Sequence, residues 1–117
     1  MTDDYYTIAT GPAAADAGGV ATVRVTLAGS FDIGARDELR DALLAAVDAG
    51  APGGRVLVDL GQVRFVDSEA ISALIQGYLS AETAGLSLRL TGATGVVAKV
   101  LTVIGLDHLR EDPAPGS

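Results

Sequence analysis

From Val20 onward the chain alternates, with Val23, Val25 and Leu27 on one side and Thr22, Arg24 and Thr26 on the other. This period of two predicts a half-buried strand that Gly29-Ser30 ends. Ahead of it, Thr7 to Thr10 reads as a first short strand. The stretch Gly11 to Gly19, rich in Ala and Gly and without amphipathic period, reads as a flexible hairpin connection. From about Ala35 to Ala49 the period changes: Leu39, Leu43 and Val47 recur at fours with Ala42 and Ala46 beside them. Arg36, Asp37, Arg40, Asp41 and Asp48 take the other side, so the spacing predicts an amphipathic helix. Gly50 to Gly54, with Pro52 among them, stops it.

Arg55-Val56-Leu57-Val58-Asp59-Leu60 follows as a nearly continuous apolar run, the mark of a central strand covered on both faces. A turn is expected at Gly61-Gln62. Phe65 and Val66 then lead into a second helix from about Glu69 to Ala84, whose apolar stripe is Ile71, Leu74, Ile75, Tyr78 and Leu79. Leu86, Leu88 and Leu90 alternate with polar neighbours in a further strand. Val97, Val100, Leu101 and Ile104 define a third helix that Gly105 ends, and His108 to Arg110 is a candidate closing strand. The order β-β-α-β-α-β-α, with or without that last strand, predicts one α/β domain over residues 1–111. Right-handed crossovers would give it a mixed sheet of four to five strands with three or so helices packed on it. Residues 112–117, Asp-Pro-Ala-Pro-Gly-Ser, read as a disordered tail.

Composition narrows the picture. A chain of 117 residues can bury one two-layer core without staples. With two Phe, three Tyr and no Trp, that core must be aliphatic. The formal net charge of −7 argues against a sequence-independent hold on nucleic acid or anionic lipid, which leaves a protein as the expected partner. The absence of cysteine removes disulfides, thiol catalysis and thiolate-bound metals. The start Met-Thr-Asp-Asp is acidic where a signal peptide is basic and apolar. No apolar run approaches the roughly 18 to 20 residues of a membrane span, so the expected place is the cytoplasm. Lys99 is the only lysine against seven arginines, a bias that fits a GC-rich bacterial genome.

Candidate chemistry concentrates at Asp67-Ser68-Glu69. Asp and Ser are favoured helix caps, and a Glu in the first turn gains about 0.3 to 1 kcal/mol from the helix dipole. The same amides and dipole also make a seat for an anion such as phosphate. Asp32, after Gly29-Ser30-Phe31, suits either an Asx-type turn that binds loop amides or a contact with a partner. Asp59 ends the buried strand, where a receiver-type phosphoacceptor would stand. Two strands precede the first helix, however, and Lys99 lies within the third, which argues against a receiver. The lone His108, the lack of a Ser-His-acid set or phosphate-binding glycine loop, and the weakness of an Asp32/Asp67 pair as a cation site point to a protein that is not an enzyme and holds no metal or cofactor.

Two segments carry a family likeness. Leu27-Ala28-Gly29-Ser30-Phe31-Asp32-Ile33 through Glu38-Leu39 resembles the Leu-x-Gly-Glu-Leu-Asp-Ile segment of the STAS family, the sulfate-transporter and anti-sigma-factor-antagonist domain. Val58-Asp59-Leu60 through Val66-Asp67-Ser68 and Ile71 resembles its Asp-Leu-Ser-x-Val-x-Phe-Met-Asp-Ser-Ser/Thr-Gly-Leu signature. The likeness runs from about Val20 to Leu109. It implies a binding module in a partner-switching pathway that regulates transcription, whose partner is an anti-sigma factor with serine-kinase activity.

In antagonists of that family the kinase phosphorylates the Ser or Thr two residues after the motif Asp, and phosphorylation abolishes binding. That position is Glu69 here, with Ala70 in place of the following Gly and Ser30 in place of the Glu before the first Asp. The resemblance therefore implies Asp32, Asp67, Ser68 and Glu69 as the partner-binding set. Glu69 either mimics the phosphorylated state or marks a partner that does not use the switch, and Ser68 is a substitute acceptor. A carboxylate supplies one charge where a phosphoserine supplies about −1.5 to −2. The other role such a chain can fill is the small STAS subunit of a lipid-transport or stressosome-like complex.

Overall fold

The computed structural model describes residues 6–15 and 18–110; the expected tail at 112–117 lies outside them. The elements run β1 (Tyr6–Thr10), β2 (Ala14–Ala15), β3 (Ala21–Phe31), α1 (Arg36–Ala49), β4 (Arg55–Val66), α2 (Ser68–Ala84), β5 (Ser87–Thr91) and α3 (Gly95–Val103). Short 3-10 turns occupy Ile33–Ala35 and Asp107–Leu109. The sheet is mixed, in the order β1-β3-β4-β5, with β2 added to β3. β1 and β2 run antiparallel to β3, while β3, β4 and β5 are mutually parallel. The result is the expected single α/β domain of five strands and three helices.

Alternation explains the core. Val23, Val25 and Leu27 of β3, Val56, Val58 and Leu60 of β4, and Leu88 and Leu90 of β5 are all buried. They share one cluster with Leu39, Leu43 and Val47 of α1, Ala70, Ile71 and Leu74 of α2, and Val97 and Leu101 of α3. Among the described residues no polar or charged side chain is buried. β4, expected to be covered on both faces, is covered on one. Its Arg55, Leu57 and Asp59 are only half-buried on the other face, which they share with Thr22, Arg24 and Thr26. A continuous apolar run does not distinguish these cases when one member, Leu57, lies on the open side.

Several local expectations need correction. No turn forms at Gly61-Gln62: β4 continues to Val66, and the pairing with β3 shifts register between Thr26 and Ala28 and again between Gly29 and Ser30. Each shift takes in one more residue of β4 than of β3, as a β-bulge does. At the first of them the Asp59 carboxylate accepts from the amide of Gly61 at 2.9 Å, a turn-like bond held inside a strand. β3 likewise runs through Gly29-Ser30, because Gly29 has φ of 100°, a conformation open to glycine within the bulge. The presumed hairpin loop contains β2. Where a closing strand was expected, residues 107–109 coil into a turn, and one parallel bridge joins Leu90 to Arg110.

The apolar stripe of α2 is also rotated from expectation. Its buried residues are Ala70, Ile71, Ala73, Leu74, Gly77 and Ala81, whereas Ile75 and Leu79 are exposed, at 37% and 56%. Small residues face α1 because the two helices approach closely. A Cβ on Gly77 would lie 2.8 Å from Leu43 Cδ1 and 2.9 Å from Leu43 Cβ. Ile104, assigned to the buried side of the third helix, is exposed just beyond the end of α3.

Candidate functional site

β3 and β4 are parallel, so their C-terminal ends deliver the next segments to the same edge of the sheet. The amide of Asp67, after β4, donates to the carbonyl of Phe31, the last residue of β3, at 3.0 Å. That bond brings the Asp32 loop beside the start of α2, and the turn Ile33–Ala35 packs against α2. Asp32, Asp67, Ser68 and Glu69 are thus gathered at one end of the molecule.

Each carboxylate has a defined occupation. Asp32 closes the Asx-type turn: its Oδ1 accepts from the amide of Gly34 at 2.9 Å, and its carbonyl accepts from the amide of Ala35 at 2.9 Å. Asp67 is the N-cap of α2. It is extended at φ −103° and ψ −176°, and its Oδ1 accepts from the amides of both Glu69 and Ala70 at 3.0 Å. Such a cap stabilises a helix by about 1 kcal/mol. Of the two capping candidates, Asp67 takes the role, and Ser68 stands exposed as the first residue of the helix. The seat for an anion at this terminus is therefore filled by the chain's own carboxylate.

Glu69 points to α1 instead. Its Oε1 accepts from Nη1 of Arg36 at 2.6 Å, and Nε of Arg36 also donates to Asp37 at 3.1 Å. The bond to Glu69, followed by that to Asp37, raises the pKa of Arg36 further above its ordinary value, so the guanidinium stays charged. Both partners are partly exposed, at 40% for Arg36 and 36% for Glu69. Tyr6 of β1 closes the same region from the sheet side: its hydroxyl donates to Glu38 of α1 at 2.7 Å, and its ring meets Phe31 at 5.0 Å. The bond to Glu38, helped by burial, raises the Tyr6 pKa.

Arg36 and Phe65 join the set without having been singled out from the sequence. Phe65, paired with Ser30 across the second register shift, is 45% exposed at the same end of the sheet as Asp67. An exposed aromatic beside a group of polar residues is a common anchor for a protein partner. Two depressions in the surface, of about 230 and 170 Å3, lie elsewhere. One is at Thr7, Ala28, Gly29, Gln62 and Arg64, the other between Tyr78, Glu82 and His108. The grouped residues occupy a surface rather than a cleft. Asp59 and His108 are apart from it. Asp59 is engaged with Gly61 and Arg24, and His108 Nδ1 lies 3.0 Å from the carbonyl of Gly105. No group of three or more His, Asp or Glu able to hold a metal occurs among the described residues. No helix of the described residues is long and apolar enough to cross a membrane.

Comparison with known proteins bears on the family and the fold. A family model described as "Mlab, STAS domain" matches residues 14–111. None of the curated proteins matches the chain in sequence. Among solved structures, an anti-sigma factor antagonist from Mycobacterium paratuberculosis superposes with a TM-score of 0.76 at 18% identity, covering 97% of this chain and 89% of that one. The anti-sigma factor antagonist SpoIIAA in its unphosphorylated form gives 0.74 at 18%, covering 94% and 90%. A sulfate transporter family protein from Wolinella succinogenes gives 0.63 at 21%, covering 74% and 69%. At these identities the likeness establishes the fold, shared by antagonists and transporter domains alike.

Proposed function

Since the chain belongs to the STAS family, we propose that it is a non-enzymatic regulatory module of the bacterial cytoplasm that acts by binding a protein. In this reading it is an anti-sigma factor antagonist-like member of a partner-switching pathway whose acceptor position is not switchable. The observation that carries the reading is the surface formed by the Asp32 turn and the Asp67-capped start of α2, with a carboxylate at position 69. An anti-sigma factor with serine-kinase activity is the partner this surface suits. Its footprint covers Asp32, Asp67, Ser68 and Glu69, with Phe65 as the apolar anchor.

Glu69→Ser tests the assignment. Incubated with the anti-sigma kinases of the source organism, ATP and magnesium, this variant is expected to gain the mass of one phosphate at residue 69, while the natural chain gains none there. Phosphate found on Ser68 of the natural chain would move the switch to that hydroxyl. No phosphate on the variant, with kinases active on their own antagonists, would remove the mapping of position 69.

A second reading rests on the same carboxylate. A subunit held permanently in a lipid-transport or stressosome-like complex needs no acceptor hydroxyl, and Glu69, already paired with Arg36, offers none. Co-purification separates the two: a sigma-regulating kinase retained by the tagged chain supports the first, a transporter ATPase or scaffold protein the second.

A further inference from the structure

Position 69 carries a carboxylate, and its charge has two ways of being read: as a standing imitation of a phosphate, or as a charge already answered within the chain. The geometry favours the second. The amides at the start of α2 are occupied by Asp67, at 3.0 Å each, and give the Glu69 side chain nothing. Its partner is Arg36, one turn from the Asp32 loop, at 2.6 Å. Asp32, Asp37, Glu38, Asp67 and Glu69 put five carboxylates at this end of a chain whose net charge is −7; Arg36 donates to both Glu69 and Asp37, and Arg40 reaches Asp37 at 3.5 Å.

We infer that Arg36 is a positioning residue that neutralises and orients Glu69, so that the start of α2 presents a permanently binding-competent surface and not a phosphate-like one. The inference rests on the reading above, in which an unanswered negative charge at position 69 opposes association. A carboxylate covered by a partner without a counter-charge loses its hydration and gains little in return. One that arrives already paired and hydrogen-bonded loses much less. Arg36 thus makes Glu69 compatible with a covered interface.

The test is a mutant cycle on the purified full chain, with binding to the purified anti-sigma factors of the source organism measured by calorimetry. Arg36→Gln is expected to weaken binding at least 10-fold. In the Glu69→Gln background the same change at Arg36 is expected to alter binding less than about 3-fold, because no charge remains to be unmasked. The loss in Arg36→Gln should also shrink at an ionic strength of about 1 M, where the Debye length is roughly 3 Å. A role for Arg36 in folding alone would produce neither the dependence on Glu69 nor that on salt. Melting curves should keep every variant within a few degrees of the natural chain, as expected of a half-exposed pair. A 10-fold tightening by Glu69→Gln alone would overturn the inference in favour of phosphate mimicry, as would an Arg36→Gln loss of equal size in both backgrounds. Binding by the natural chain that is indifferent to Arg36 would overturn the inference and leave the functional reading standing. No binding by any of the four proteins would overturn both.

Discussion

Asp59 sits where a phosphoacceptor would stand in a receiver, yet each of its oxygens has a structural task. Oδ1 accepts from the amide of Gly61, and Oδ2 accepts from Nη2 of Arg24 at 2.7 Å. The bond from Gly61, followed by that from Arg24, lowers the Asp59 pKa below the ordinary carboxylate value. A carboxylate depressed in the folded state favours folding when the pH is above its unfolded pKa, about 3.9, and loses that contribution as pH falls through the lower folded value. Asp59→Asn keeps an acceptor for Gly61 but gives up the charge. It should be about 1 kcal/mol less stable than the natural chain at pH 7, with the difference closing below about pH 3. Urea titrations of both proteins across that range check this, and a difference that stays constant with pH would show that the charge is not responsible. The same scale shows what was readable in advance. Asp32 and Asp67 were legible because their roles are local, an Asx-type turn and a cap that bond amides two or three positions away. The Arg36–Glu69 pair spans 33 positions and exists only because α1 and α2 pack together. No local pattern announces it.

For the elements, periodicity placed every helix and strand of the α/β frame except β2. It failed where the geometry of an element depends on its neighbour. The turn expected at Gly61-Gln62 is an example: a glycine that closes an apolar run commonly marks a turn, but here β3 on one side keeps β4 extended and the spare residues become bulges. α2 is another. Size alone favoured Ile75 and Leu79 for its buried side, yet α1 comes so near that Gly77 and the alanines must face it. Gly77→Ala therefore opposes two effects. Alanine gains about 1 kcal/mol in helix propensity, but its Cβ would fall within 3 Å of the Leu43 side chain, whose Cβ cannot rotate away. Overpacking of this kind costs typically about 1 to 3 kcal/mol, so the expected net result is a modest loss of stability, read as a lower melting temperature. A higher one would mean that α1 and α2 can separate without penalty.

On the scale of the whole molecule, the sheet is unequally supported. Helices cover one face, and the other carries half-buried residues such as Leu57 and Asp59 alongside exposed Arg24. Pairing is unequal too. β3 and β4 each have neighbours on both sides, whereas β1 and β5 lie at the ends of the path and β2 contributes two exposed residues. Val23, Val25, Val56 and Val58, all fully buried, occupy the doubly paired strands. Their amides can become accessible only when the domain comes apart, while β1 and β2 can open locally. Hydrogen exchange followed by NMR should therefore find the slowest amides in β3 and β4 at the limit set by global unfolding, and those of β1 and β2 faster by orders of magnitude. Equal protection in β1 would contradict this and place that strand in the cooperative core. The candidate surface lies where both protected strands end, at Phe31 and Val66, and the Asp67–Phe31 bond ties those ends together. A rigid seat follows from this placement. The Asp32 turn and the start of α2 should hold their geometry whether or not a partner is bound, because both are anchored on β3 and β4, while Tyr6 of β1 borders the surface only from its edge.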